Sequence, residues 1–212
     1  MATVLQEHDQ RVVFHNVRWE TYRTLLADEG ISRARMAFDQ GTLEIMSPSH
    51  KHENINNLIG RMIETLTMEL DIELHSAGST TLLRADLESG VEPDTCYYLS
   101  NSYQIRESDE ILLPDNPPPD LAIEVDISRS SLVRRRIYAK LGILETWRFA
   151  GDRLEMYRLN DEGEYSQIER SMLLPQLGVS DLQRFLALRG TLSETQLLRQ
   201  FRDWVRENFG AK

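Results

Sequence analysis

Two acidic phrases stand near the middle of the chain, Val91-Glu92-Pro93-Asp94 and Pro119-Asp120-Leu121-Ala122-Ile123-Glu124-Val125-Asp126. The second is set into an apolar run, which predicts carboxylates on a buried strand. A buried carboxylate is costly to ionise unless a metal or a proton neutralises it. Paired carboxylates suit a hard cation such as Mg2+ or Mn2+, which prefers oxygen ligands and keeps several waters. Such an ion activates water and offsets charge on a phosphate, so the chemistry indicated is metal-dependent hydrolysis, foremost that of a nuclease. Along Ile123-Glu124-Val125-Asp126-Ile127 the side chains alternate, placing Glu124 and Asp126 on one face and the apolar residues on the other. A half-exposed strand shows the same alternation, so this pattern alone leaves both readings open. Asp94 follows Pro93, which holds the backbone extended, and precedes the run Thr95 to Leu99; it begins a strand or serves only a turn.

Composition narrows the setting. The chain has 212 residues, 41% hydrophobic and 27% charged, enough for one substantial core. We expect a polar, flexible tail over residues 1–10 and a single domain over 11–209. The N-terminus has no apolar leader, and no stretch approaches the roughly 20 apolar residues that span a bilayer, so a cytoplasmic protein without membrane contact is expected. Cys96 is the lone cysteine, which excludes an intramolecular disulfide and argues against cysteine-ligated zinc. A net charge of -10 opposes indiscriminate binding to a polyanion, so any nucleic-acid surface must be local. The densest basic cluster, Arg129, Arg134, Arg135, Arg136 and Lys140, follows the acidic strand. It reads as a phosphate-binding edge or as a helix face balancing nearby acids.

Around these residues the elements are legible from periodicity. Arg11 to His15 reads as a strand and Trp19 to Ala27 as a helix; Met36 to Phe38 and Leu43 to Met46 form a hairpin about Asp39-Gln40-Gly41. From His52 to Leu70 apolar residues recur at three- and four-residue steps, an amphipathic helix capped by Ser47 or Ser49. Strands follow at Ile72 to His75, Thr80 to Arg84, Thr95 to Leu99 and Leu121 to Ile127, the last after a proline-rich loop and expected to be central. A helix over Leu132 to Leu141 ends at Gly142; strands at Glu145 to Phe149, Arg153 to Leu159 and Tyr165 to Ile168 precede helices at about Ser180 to Leu188 and Glu194 to Asn208. The last helix packs on the core or bridges two subunits. His15, His75 and the tryptophans Trp19, Trp147 and Trp204 are expected to pack. The whole reads as an α/β or α+β fold.

The order Leu43-Glu44-Ile45-Met46-Ser47-Pro48-Ser49, His52-Glu53, Glu92-Pro93-Asp94, Pro119 to Val125 and Tyr138 to Trp147 resembles the Uma-two family of restriction-endonuclease-like proteins. Those are similar to the PD-(D/E)XK nuclease superfamily. The resemblance runs from about Arg11 to Trp204. It implies a restriction-endonuclease-like core, a mixed central sheet flanked by helices, with an N-terminal hairpin and C-terminal helices. It further implies a Mg2+- or Mn2+-dependent endonuclease acting on DNA as a homodimer. Asp94 and Glu124 would be the paired metal carboxylates, Glu44 a supporting acid, and His52 and Asp126 accessories. Where the superfamily has a lysine two residues after its second acid, this chain has Asp126. The resemblance implies that the basic role moves to the next helix, at Arg134. Arginine binds phosphate well but stays protonated, so it cannot serve as a base. Two functions therefore stand: an active endonuclease, or a catalytically silent relative that binds nucleic acid or a protein partner.

Overall fold

The computed structural model describes residues 9–28, 30, 34–106, 108, 110–127 and 134–210. A five-stranded antiparallel sheet comes first, built from β1 (Gln10–Phe14), β2 (Arg35–Asp39), β3 (Thr42–Ser47), β5 (Leu82–Arg84) and β6 (Ser89–Val91) in the order β1-β3-β2-β6-β5. The expected hairpin is its centre: Gln40 and Gly41 both take positive φ, 46° and 91°, which matches the twist of the strands they join. β6 is absent from the sequence reading because it has three residues and a central glycine. A side chain at Gly90 would collide with Leu83 Cδ2 at 2.6 Å and Tyr22 Oη at 2.7 Å, so the close strand–helix packing demands the residue least suited to a strand. Tyr22 belongs to α1 (Trp19–Leu26), which packs on this sheet through Trp19, Tyr22 and Phe38.

A six-stranded mixed sheet carries the acids. It contains β4 (His75–Gly78), β7 (Thr95–Tyr98), β8 (Leu121–Asp126), β9 (Glu145–Ala150), β10 (Arg153–Leu159) and β11 (Tyr165–Ile168), in the order β11-β10-β9-β8-β7-β4. The β8–β9 pair is parallel and the others antiparallel, and β8 is internal as expected. On one face lie α2 (His50–Glu69), α5 (Val179–Leu186) and α6 (Glu194–Phe209). The apolar stripe of α2, Ile55 to Leu66, meets Leu121, Ile123 and Val125 of β8 there. Ser49 caps α2, its Oγ accepting from His52 N at 3.3 Å. Leu197, Phe201 and Val205 of α6 are buried in the same cluster, so its apolar stripe packs on this chain's own core.

The opposite face of β8 is covered as well. Ala122 packs with Ala37 and Val91 of the first sheet and with Ile137, Tyr138 and Leu141 of α4 (Arg134–Leu141). Every position of β8 is therefore buried, Glu124 and Asp126 included. Alternation along one strand cannot tell which face another element will cover; here the first sheet and α4 close over the acidic one. Gly142, at φ 80°, ends α4, while the expected start of that helix before Arg134 lies outside the described residues. β4 begins where the sequence reading ended it, and a single turn, α3 (Ser102–Ile105), was not foreseen. His15 falls just beyond β1 and is exposed, contrary to expectation. Among the described residues no helix is long and apolar enough to cross a membrane.

Candidate active site

Strand register brings the two acidic phrases together. β7 pairs β8 through Thr95 opposite Ile123, so Asp94, one residue before β7, stands across from Glu124. Asp94 Oδ2 accepts from the backbone N–H of Val125 at 2.7 Å, tying the two phrases directly. The remaining acids of the phrases hold backbone instead. Glu92 accepts from Met36 N at 2.6 Å and from Thr81 Oγ1 at 2.8 Å, and Asp120 from the amides of Leu99 and Ser100 at 2.7 and 2.9 Å. Glu44, on β3 of the other sheet, is wholly buried and reaches the same place from above.

Arg134, the first described residue of α4, joins these acids. Its Nε and Nη2 donate to Glu44 Oε1 at 3.2 and 3.1 Å, and Nη1 donates to Glu124 Oε1 at 3.3 Å and to the carbonyl of Glu92 at 3.1 Å. One turn on, Tyr138 donates its hydroxyl to Glu124 Oε1. Asp94 has other partners: Arg35 Nε lies 2.9 Å from Oδ1 and His52 Nε2 2.9 Å from Oδ2, both off-line for hydrogen bonds. The far nitrogen of His52, Nδ1, meets Asp9 Oδ2 at 3.1 Å, and Asp9 in turn accepts from Ser49 N. Asp126 accepts from Arg148 Nη2 at 2.7 Å.

Five carboxylates, Asp9, Glu44, Asp94, Glu124 and Asp126, thus face five cationic side chains, Arg11, Arg35, His52, Arg134 and Arg148. The premise that these buried acids need a metal or a proton is corrected by this pairing, because the protein supplies its own counter-charges. The ionisations follow. Burial pushes Glu124 up to about 7, aided by the charge of Asp94 and opposed by Arg134 and Tyr138. Burial would also raise Asp94, but His52, Arg35 and Arg134 together hold it below the usual carboxylate range. Burial alone would lower His52; its two acidic neighbours overcome this and raise it to about 9, so it is an imidazolium at neutral pH. Arg134 is driven above its ordinary value by Glu124 and Glu44 despite burial, and stays protonated.

A cleft of about 220 Å³ opens beside Glu124 and Asp126, lined by Arg11, Arg134, Arg135 and Arg148 with Tyr138 and Thr146. The expected basic edge is only partly here. Arg136 and Lys140 turn away to the buried Asp39, Arg135 lies over the Tyr157 ring at 3.9 Å, and Arg129 is outside the described residues. Arg11 and Arg148 replace them, and neither stands out by local pattern. For Arg148 the signal was its parallel pairing opposite Glu124, visible once β8 and β9 are neighbours. Arg11 and Asp9 come from the chain's N-terminal end, and no local pattern links them to acids so distant in sequence.

A family model described as "Putative restriction endonuclease", Uma2, matches residues 19–193. The chain belongs to the Uma2 family. The match spans Glu44, His52, Asp94, Glu124, Asp126 and Arg134, while Asp9 and Arg11 precede it. Among solved structures, the chain is similar to a "putative nuclease belonging to DUF820" from Anabaena variabilis, at 14% identity and a TM-score of 0.55, covering 87% of this chain and 99% of that one. That likeness is one of fold. No curated protein matches the chain.

The donors of this Uma2 chain fit a hard cation in a limited way. Among the described residues no three His, Cys, Asp or Glu side chains are grouped to hold an ion. Mg2+ needs only one or two carboxylates when water and substrate complete its shell. Asp94 Oδ1 and Asp126 Oδ1 are buried oxygens that complete no hydrogen bond, but each already faces an arginine, Arg35 Nε at 2.9 Å and Arg11 Nη2 at 3.7 Å, which an incoming cation would have to displace.

Proposed function

We propose that this Uma2 protein hydrolyses phosphodiester bonds of DNA with Mg2+ or Mn2+, held by Asp94 and Glu124 with Glu44 in support. The observation that carries the reading is a cleft in which Glu124 and Asp126 meet four arginines, in a chain whose net charge is -10, with Asp94 tied to Val125 of its floor by a hydrogen bond. Such a cleft attracts a polyanion locally where the rest of the surface repels it. The ion, when bound, would lower the pKa of water and offset charge on the phosphate. Arg134 would bind a phosphate oxygen and balance developing charge while keeping its own proton. Tyr138 and Arg134 orient Glu124; His52 and the Val125 amide orient Asp94. Asp126 is an accessory, set by Arg148. Cutting both strands of a duplex calls for two such clefts, hence a homodimer. A cytoplasmic setting accords with the lone, buried, free Cys96.

A plasmid-nicking assay with Mg2+ or Mn2+ tests this directly, run beside melting curves. Wild type should nick and should melt higher with metal, because an ion bound only by the folded state stabilises it. Asp94→Asn should abolish nicking and shrink the metal-induced shift; an equal shift in both proteins would remove Asp94 from the metal site. Arg134→Lys should raise nicking if the arginine stands in for a lysine. The second reading, a silent nuclease fold that binds without cutting, is favoured by the internal charge balance of the acids and by a basic group that cannot release its proton.

A further inference from the structure

We infer that Arg11 and Thr146 form a phosphate-binding subsite in the cleft, taking a backbone phosphate of the nucleic acid beside Glu124 and Asp126. The inference rests on the reading of the cleft as a phosphodiester site. Arg11 projects from β1, and only 10% of its side chain is exposed. Its acids stand back: Glu44 Oε2 lies 3.6 Å from Nη1 and Asp126 Oδ1 3.7 Å from Nη2. Those distances anchor the guanidinium by charge without completing hydrogen bonds. Nε and Nη1 are buried with no hydrogen-bond partner among the described residues.

The neighbouring arginines differ, since Arg134 donates to both Glu44 and Glu124 and Arg148 donates to Asp126. Thr146, on β9, shares the sheet face of Glu124 and Arg148, and its buried Oγ1 is likewise unpartnered. Native proteins rarely leave buried donors unpaired, because each costs on the order of 1–3 kcal/mol. Arg11 and Thr146 both line the cleft, so a side-chain rotation would turn their buried Nε, Nη1 and Oγ1 to the oxygens of a phosphate, which accepts from a guanidinium fork in pairs. The acids beside Arg11 disfavour a carboxylate ligand as much as a phosphate, but only the polymer brings further phosphates to Arg135 and Arg148 along the same wall.

The test is binding of a short fluorescein-labelled DNA duplex by anisotropy, in EDTA so that nothing is cut, over a series of salt concentrations. Each phosphate contact contributes about 0.9 to the slope of log affinity against log salt. Arg11→Met should reduce the slope by about 0.9, whereas Arg202→Met, an exposed arginine on α6, should leave it at the wild-type value. Arg11→Lys should keep the slope and weaken binding several-fold by losing the fork. Thr146→Val should also weaken binding, and without lowering the melting temperature, since it removes an unpaired buried hydroxyl. Equal slopes for wild type and Arg11→Met overturn the subsite, as does a wild type that does not bind the duplex. If Arg11→Met fails to fold, unchanged affinity in both Arg11→Lys and Thr146→Val overturns it. Wild type that shows the slope difference yet never nicks plasmid with metal sinks the nuclease reading and leaves the subsite standing.

Discussion

Replacing His52 by glutamine should change how stability depends on pH, in a window set by the Asp9–His52–Asp94 chain. The imidazole is fully buried, and burial alone would make its proton easier to lose. Instead the carboxylates at 3.1 and 2.9 Å raise it from 6.5 to about 9. The folded state therefore binds a proton that the unfolded chain gives up near 6.5, and stability falls as pH rises between these values. The contribution is fully present below 6.5 and lost above about 9; at ~1.4 kcal/mol per pH unit it amounts to about 3 kcal/mol. Glu124, raised to about 7, also makes the folded state the better proton binder, but its window lies mostly lower and is common to both proteins. Urea unfolding in EDTA from pH 6 to 10 reads the difference between wild type and His52→Gln. That difference should be about 3 kcal/mol larger at pH 6.5 than at 9.5. Parallel pH profiles for the two proteins would mean that His52 is neutral when folded and that its acids do not hold its proton.

Arg134→Met should cost about 3–5 kcal/mol at pH 7, because Glu44 and Glu124 lose their shared buried counter-charge; a urea midpoint near wild type would refute this. Glu145→Ala strips acceptors from the Trp147 indole and the Met172 amide, at 2.6 and 2.9 Å, and should destabilise by about 2–4 kcal/mol in the same assay. Gly60→Ala would set a methyl 2.8 Å from Tyr97 Oη, and its steric cost of about 1–3 kcal/mol should outweigh the gain of about 1 kcal/mol in helix propensity. Removing the hydroxyl in a Tyr97→Phe background should relieve that penalty, and additive effects in the double mutant would show that the contact is not its source.

Local signals sufficed where one element carried the whole pattern. The stripe of α2 at three- and four-residue spacing buried itself as its period requires, and Ser49 capped it. On β8 the period of two placed Glu124 and Asp126 together, and the turn residues Gln40 and Gly41 marked the hairpin. The acidic phrases marked Asp94, Glu124 and Asp126, whereas Glu44 and Arg134 were singled out only by the family resemblance. What covers the acidic face was decided only when a second sheet folded across it, an outcome that no strand's own alternation encodes. That closure turned acids which a lone strand would leave in water into buried groups, and it set Arg11 and Arg35, both remote in sequence, against them. Charge pairing in a buried cluster depends on distances of a few ångströms between separate segments. The acidic phrases therefore named Asp94, Glu124 and Asp126, and the tertiary structure chose their counter-ions.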